Sequence, residues 1–407
     1  MEPITVDQKI EEYLGQFNLD LRVTHFGRFM DQKLTPDVLS FIADCILNYT
    51  SDNVNVEFTV HDIWDSQYFS KNVKLLFGKP DADNETVIHE YDKFIGQPIQ
   101  TLRYANVLSV VGKKKTAVSY RVNNLELLEY ISLKEKYSLN FLRIYLTKVF
   151  SDSGFKNYVD EFIRNCQSGQ IDEMKFQELK RNFQKFIIGN TKINTPIEVN
   201  RIFTKVINVF SATNYIKGAV KGRLSDFPIN FTDLMYNRIN FRDADKLKGI
   251  SRQEAASTVL PVETSGYNNY LIEKAKQKIK AKYSQSEVKD AYSSESADYV
   301  HHIFPMGEFP SLATFLENLI KLTATQHFTK AHPKGNTFLV DKDYQIVCLL
   351  CKSVSIESSL AKGEFIYSKP SFTYVLSTGL KLADNEFSPN MDFSQIRDKL
   401  AKIYKYS

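Results

Sequence analysis

Residues 299–305 read YVHHIFP, two adjacent histidines between apolar residues, closed by a proline. Histidine is scarce in this chain, with seven in 407 residues, yet His301, His302, His327 and His332 share one short window. The window continues MGEFPSLATFLENLIKLTATQHFTKAHPKGNTFLV. The apolar piece before the pair has strand character, and Pro305, Gly307 and Pro310 mark a loop. SLATFLENLIKL is expected to hold a turn and a short strand, and TATQHFTKAH a helix stopped by Pro333. Adjacent residues of a strand face opposite sides, so one histidine of the pair can face a metal while the other faces a substrate. The alternative is a pair of satisfied histidines in a packed strand.

This window resembles the HNH, or ββα-metal, nuclease motif. In that family the first strand ends in Asp-His or His-His followed by Ile-x-Pro or a relative of it. A later Asn precedes a helix-borne metal ligand by nine residues. Here His301-His302-Ile303-Phe304-Pro305 supplies the first part, and Asn318 stands nine residues before His327. The pair is more similar to the colicin-type version than to the Asp-His version. The resemblance implies that His301 and His327 ligate one divalent ion, that His302 is the general base, and that Asn318 braces the loop orienting His302. The colicin-type pattern has a further His four residues on, whereas His332 follows His327 by five. Five residues turn an α-helix by about 140°, so His332 joins the ligands only if the helix end distorts before Pro333.

The residue types suit phosphodiester hydrolysis without the family name. Neutral imidazole is a base in the right pKa range. A divalent ion shared by imidazoles and phosphate oxygens can stabilise the pentacoordinate state and the leaving oxygen. Mg²⁺ or Mn²⁺ is the expected ion, with imidazole donors favouring other transition metals as well. Cys348 and Cys351 have C-x-x-C spacing inside the apolar run IVCLLC, and with no second pair a structural zinc is not expected.

Outward from the window, the composition is that of a soluble globular chain: 43% hydrophobic and 25% charged residues. The length exceeds one ordinary core. No apolar run is long enough to span a bilayer, the N-terminal residues have no secretory pattern, and four scattered cysteines make no disulfide framework. A cytoplasmic protein with no membrane partner is expected. Net charge is +4, but Ser211 to Lys282 carries 13 basic against 7 acidic residues. Such a segment suits a polyanion or a solvated surface. LIEKAKQKIKAKY holds five lysines over an Ile272, Ala275, Ile279 stripe, which suits a solvated helix face or a surface tracking a nucleic-acid backbone.

TPDVLSFIADCILNY starts a helix at the Thr35 cap and Pro36. Beyond it, HDIWDSQYF reads as a short helix and EYDKFIGQPIQTLRYANVLSVV as two helical pieces parted at Gly96 to Pro98. GKKKTAVSYRV reads as a hairpin and NLELLEYISL as a further helix. This is the order of a winged helix, in which Arg103, Lys113, Lys114, Lys115 and Arg121 are the expected phosphate contacts; a small helical domain with a solvated lysine turn is the alternative. Lys134 to about Leu260 reads as mostly helical, with Arg238 and Arg242 on one face of LMYNRINFRD. The tail after Gly335 (TFLVDKDYQIVCLLCK, FIYSKPSFTYVLS) has β-rich composition. Lys330 and Lys334 are placed to meet phosphates of the cleaved strand.

The expected architecture is therefore α+β: an N-terminal winged-helix-like DNA-binding domain (1–135), a helical middle (136–260) and a C-terminal ββα-metal nuclease domain with a β-rich extension (261–407). With the N-terminal block, the resemblance extends to HNH restriction endonucleases. It implies double-stranded DNA as substrate, a homodimer for cutting both strands, and a cognate DNA methyltransferase acting on the same site. A homing or nicking endonuclease shares the chemistry, and a DNA-binding regulator with a silent site is the non-enzymatic alternative.

Overall fold

The computed structural model describes residues 5–77, 79, 88–236, 264–332, 340–383 and 386–405. The chain is mixed α+β and mostly helical, with three two-stranded antiparallel sheets among the described residues. It divides into two compact units, Ile4–Val262 and Glu263–Ser407. No helix of the described residues is long and apolar enough to cross a membrane.

The first unit is organised around helix α3. Helices α1 (Val6–Gly15) and α2 (Leu21–Thr24) precede it, and α3 runs Pro36–Thr50. Pro36 opens α3 as expected, but the Thr35 hydroxyl does not cap it; it donates instead to Asp37 Oδ1 at 2.6 Å. Val38, Leu39, Ile42, Ala43 and Ile46 are all fully buried, so α3 is enclosed by its neighbours on several sides. It ends where Ser51 adopts φ 50°.

Thr59 caps α4 (Val60–Trp64) reciprocally with Asp62, but this helix stops at Trp64 and α5 (Gln67–Phe77) begins afresh. Helix α6 (Ile88–Tyr104) runs through Gly96 and Pro98 without a break, a correction to the two-piece reading. Its Phe94, Ile95, Ile99 and Leu102 are fully buried, and core burial over nearly five turns outweighs the one backbone bond that proline forfeits. The expected hairpin follows as β1 (Leu108–Lys114) and β2 (Ala117–Val122), with a register shift between Val110 and Gly112 and Lys115 at φ 57° in the turn. Helix α7 (Leu125–Leu133) is capped by the Asn124 side chain.

Helices α8 (Glu135–Asp152), α9 (Lys156–Gln167), α10 (Glu173–Asn190) and α11 (Pro196–Asn214) match the helical reading of the middle. A second hairpin interrupts it: β3 (Lys217–Val220) and β4 (Arg223–Pro228). Its two-residue turn has positive φ at both Lys221 (48°) and Gly222 (83°), the geometry that matches strand twist in a tight hairpin. The strands are short, and the Lys-Gly pair was their only strong local signal. Gly218 lets β3 approach α11 closely, since a Cβ there would lie 2.6 Å from Asn208 Oδ1. Of LMYNRINFRD, Leu234 ends a short 3-10 turn and Met235 is extended, while Arg238 and Arg242 lie outside the described residues.

The second unit begins with the lysine-rich helix Thr264–Lys282. Ile272, Ala275 and Ile279 are buried beneath it as expected. Its lysines do not form one solvated face, because Lys274 is buried, Lys276 pairs with Glu273 and Lys282 pairs with Glu364. Strands β5 (Tyr299–His302) and β6 (Leu319–Leu322) then pair antiparallel, placing His301 opposite Ile320 and His302 opposite Leu319.

The β-rich tail is not observed. Helices Lys342–Ala361, Lys369–Gly379 and Phe393–Lys405 follow, and no strand occurs among the described residues after Leu322. Asp341 caps the first of these helices through Tyr344 N, and Ser368 with Pro370 starts the second. Buried Cys348, Leu349, Lys352 and Ile356 recur at helical spacing, and that period overrides the β propensity of single residues. At its core the Lys352 ammonium meets Glu287 Oε2 at 3.1 Å and the Tyr367 hydroxyl at 2.7 Å, a fully buried pair.

Candidate metal centre

Strand pairing sets the site. Because His301 and His302 are consecutive in β5, their rings leave opposite faces of the hairpin. His301 is 4% exposed and turns toward the turn that follows β6; His302 turns toward the loop between the strands.

That loop is fastened by Asn318, which has no exposed surface. Its Oδ1 accepts from Phe304 N at 2.8 Å. Its Nδ2 donates to Phe304 O at 3.0 Å and to Leu312 O at 3.3 Å. The backbone adds Ile303 N to Asn318 O at 2.9 Å. One amide thus ties both ends of the 304–312 excursion to the start of β6. The next carbonyl, Ala313 O, lies 3.0 Å from His302 Nε2. A carbonyl only accepts, so Nε2 carries the proton and Nδ1 keeps the lone pair. Burial lowers the His302 pKa; the Ala313 bond opposes this, Lys276 adds to it and Glu273 opposes it. The ring is therefore a neutral base at pH 7.

The segment after β6 solves the five-residue problem. Gln326–Ala331 is a π-helix, in which hydrogen bonds run i to i+5, so residues five apart come together. His332 follows in extended conformation, and its ring centroid lies 4.9 Å from that of His327. His301 completes the group at 5.4 Å from His327 and 4.8 Å from His332, centroid to centroid. The candidate ligand nitrogens of all three lie within 4.8 Å of one another. Tyr299 stacks on His327 at 5.2 Å and 17°.

Gln326 holds the start of the π turn. It is fully buried; its Oε1 accepts from Ser286 Oγ (2.6 Å) and Thr323 N (3.0 Å). Its Nε2 donates to Val288 O (3.1 Å) and Asp290 Oδ1 (2.7 Å). At the other end Asp341 N donates to Ala331 O at 3.0 Å.

Electrostatics favours uncharged rings. Burial pushes His301 well below its ordinary pKa, helped by His332, His327 and His302. Burial, then His332 and Lys276, bring His327 down to about 4. Metals bind neutral imidazole. His327 Nδ1 is moreover buried with no hydrogen-bond partner, which a metal ion would satisfy. The residues present fit a divalent ion. All three members are imidazoles, a donor set that suits transition metals better than Mg²⁺.

The remaining sequence candidates are dispersed. Lys330 is exposed on the π turn with its ammonium 5.3 Å from the Tyr292 ring centre. Lys334 lies outside the described residues. In the first unit, Arg103 donates to Gln100 at 3.2 Å and rests on Phe26, Arg121 pairs with Glu57 at 2.8 Å, and Lys114 lies 3.6 Å from Asp62. Lys113 and Lys115 are exposed at the hairpin tip.

Sequence reading missed the Ala313 carbonyl and Gln326. A backbone acceptor leaves no side-chain signature, and Gln326 carries only its adjacency to His327. No protein-family model, curated protein or solved structure matches this chain.

Proposed function

We propose that the chain is a divalent-metal-dependent endonuclease of the HNH type that hydrolyses DNA. The observation that carries this reading is the pairing of a neutral, carbonyl-tethered His302 with a group of three histidines, two of them buried, gathered around its strand neighbour His301.

In this reading His302 Nδ1 takes a proton from a water, whose oxygen attacks phosphorus as the P–O bond to the leaving oxygen breaks. The Ala313 carbonyl, held by the Asn318-fastened loop, fixes the ring through the reaction and stabilises the imidazolium that forms. A divalent ion on His301, His327 and His332 would supply positive charge to the phosphate and the departing oxygen. Double-stranded DNA is the proposed substrate. One such site cuts one strand, so double-strand cleavage calls for a homodimer. The order of α4–α6, the β1–β2 hairpin and α7 supports a winged-helix-like role for the first unit, with Lys113 and Lys115 free to meet phosphates. A restriction role, with a partner methyltransferase in the same cytoplasm, is the biological setting we infer.

Plasmid and phage DNA incubated with purified protein and Mg²⁺, Mn²⁺ or EDTA tests this. Discrete metal-dependent fragments are expected. Absence of cleavage with every metal, on methylated and unmethylated DNA alike, would leave a DNA-binding protein with a silent site.

A further inference from the structure

A cleft of about 920 Å³ in the first unit lies between the N-terminus of α3, helix α11 and the β3–β4 hairpin. Its lining residues all belong to the Ile4–Val262 unit, whereas the histidines belong to the Glu263–Ser407 unit. Three cations line it: Lys205 from α11, and Lys221 and Arg223 from the hairpin. Lys205 is only part-exposed, and among the described residues it has neither an ion-pair nor a hydrogen-bond partner. Asp37 is the carboxylate that acts on it electrostatically, but no ion pair joins the ammonium to the Asp37 oxygens. They accept from Thr35 Oγ1 (2.6 Å), Val38 N (3.0 Å) and Tyr236 N (2.9 Å). Burial brings the Lys205 pKa down to about 8, with Asp37 opposing and Lys33 adding to the shift. A withdrawn ammonium with no ion-pair or hydrogen-bond partner among the described residues is costly, and an anion in the cleft relieves that cost.

Two carboxylates, Asp226 and Asp233, also line the cleft. Asp233 is engaged, accepting from Asn230 N at 2.8 Å. Lys221 and Arg223 are exposed and, among the described residues, unpaired. The cleft is far larger than a phosphate ion requires. At its lip Phe227 is 79% exposed, presenting an aromatic face to solvent. Cations beside an exposed aromatic ring form the combination that holds a nucleotide, by its phosphate and by the face of its base.

We propose that this cleft binds the phosphate of a nucleotide on Lys205, Lys221 and Arg223, with Phe227 stacking on the base. The phosphate comes either from a free nucleotide or from a DNA strand, and the test separates the two.

Full-length protein in EDTA is titrated calorimetrically with dAMP, inorganic phosphate and deoxyadenosine, and by fluorescence polarisation with a labelled DNA duplex. We expect dAMP or the duplex to bind, and deoxyadenosine to fail at the same concentrations. Lys205→Met should weaken that binding about tenfold or more while melting no lower than the wild type, since it removes a part-buried charge with no ion-pair partner among the described residues. Phe227→Ser should weaken dAMP, whose base face is free to stack, and leave inorganic phosphate unchanged. A duplex response that Lys205→Met weakens, without a dAMP response, assigns the phosphate to a strand; a dAMP response alone assigns it to a free nucleotide. The proposal is overturned if no phosphate-bearing ligand binds, or if Lys205→Met binds as tightly as the wild type. It is equally overturned if that variant melts several degrees lower, which would make Lys205 a structural group.

Discussion

Asn318 bonds both backbone polar groups of Phe304, its Oδ1 taking the N–H at 2.8 Å and its Nδ2 giving to the C=O at 3.0 Å. The consequence is felt at His302, which Asn318 does not touch, because the loop so fastened carries the Ala313 carbonyl.

Replacing Asn318 with Ala leaves the buried Phe304 N–H and C=O without those partners. Lost bonds and unsatisfied groups together should destabilise the second unit by about 2–4 kcal/mol. Thermal unfolding checks this. At temperatures where the variant stays folded, cleavage should still fall, because the His302 ring loses its fixed acceptor. Full activity in a folded Asn318→Ala protein would show that the loop does not position the base.

Gln326→Leu tests the support of the π turn. Four hydrogen bonds disappear and Asp290 loses a donor. Removal of such an outer group commonly lowers metal affinity by about 10- to 100-fold. Co²⁺ titration followed by its visible absorption reads this directly, since relaxation of the turn toward an α-helix would swing His332 away from His327. An unchanged Co²⁺ affinity and spectrum would mean that the turn holds its shape without Gln326.

The pH dependence has a definite sign. His327 is lowered from the ordinary value to about 4, and burial also holds His301 well below the ordinary value. The unfolded chain therefore binds more protons than the folded one between about pH 6.5 and those lowered values. The stability these rings contribute is complete above about pH 6.5 and is lost as pH falls through about 4. Metal affinity should weaken as pH falls toward about 4, where protons begin to compete for the folded rings. Denaturant titrations of metal-free protein at pH 7.5, 5.5 and 4.5 should show declining midpoints in that order. A midpoint that rises with acidity would contradict the burial of neutral histidines.

The site was more legible in the sequence than the frame around it. His301, His302, Asn318 and His327 are fixed by short-range spacing, and a strand end, a loop and a second strand are local structures. His332 was ambiguous because its place depends on a π turn, and that turn is set by contacts from Ser286, Val288 and Asp290, distant in sequence. The C-terminal helices were misread because Val, Ile, Tyr and Phe favour strands one by one, while Asp341 and Ser368 caps and a buried helical stripe decide the outcome. The continuous α6 was misread at Pro98 for the converse reason, a local breaker overridden by core burial.

The most direct test separates the base from the ligands. His302→Ala and His327→Ala proteins are each measured for Mn²⁺ binding by calorimetry and for cleavage of plasmid DNA in saturating Mn²⁺. The expected result is that His302→Ala binds Mn²⁺ within about threefold of the wild type yet cleaves about 10²- to 10⁴-fold more slowly, as loss of a general base implies. His327→Ala should lose Mn²⁺ binding and cleavage together. Cleavage by His302→Ala at the wild-type rate, or unaltered Mn²⁺ binding by His327→Ala, would contradict the assignment of base and metal to the two faces of this strand.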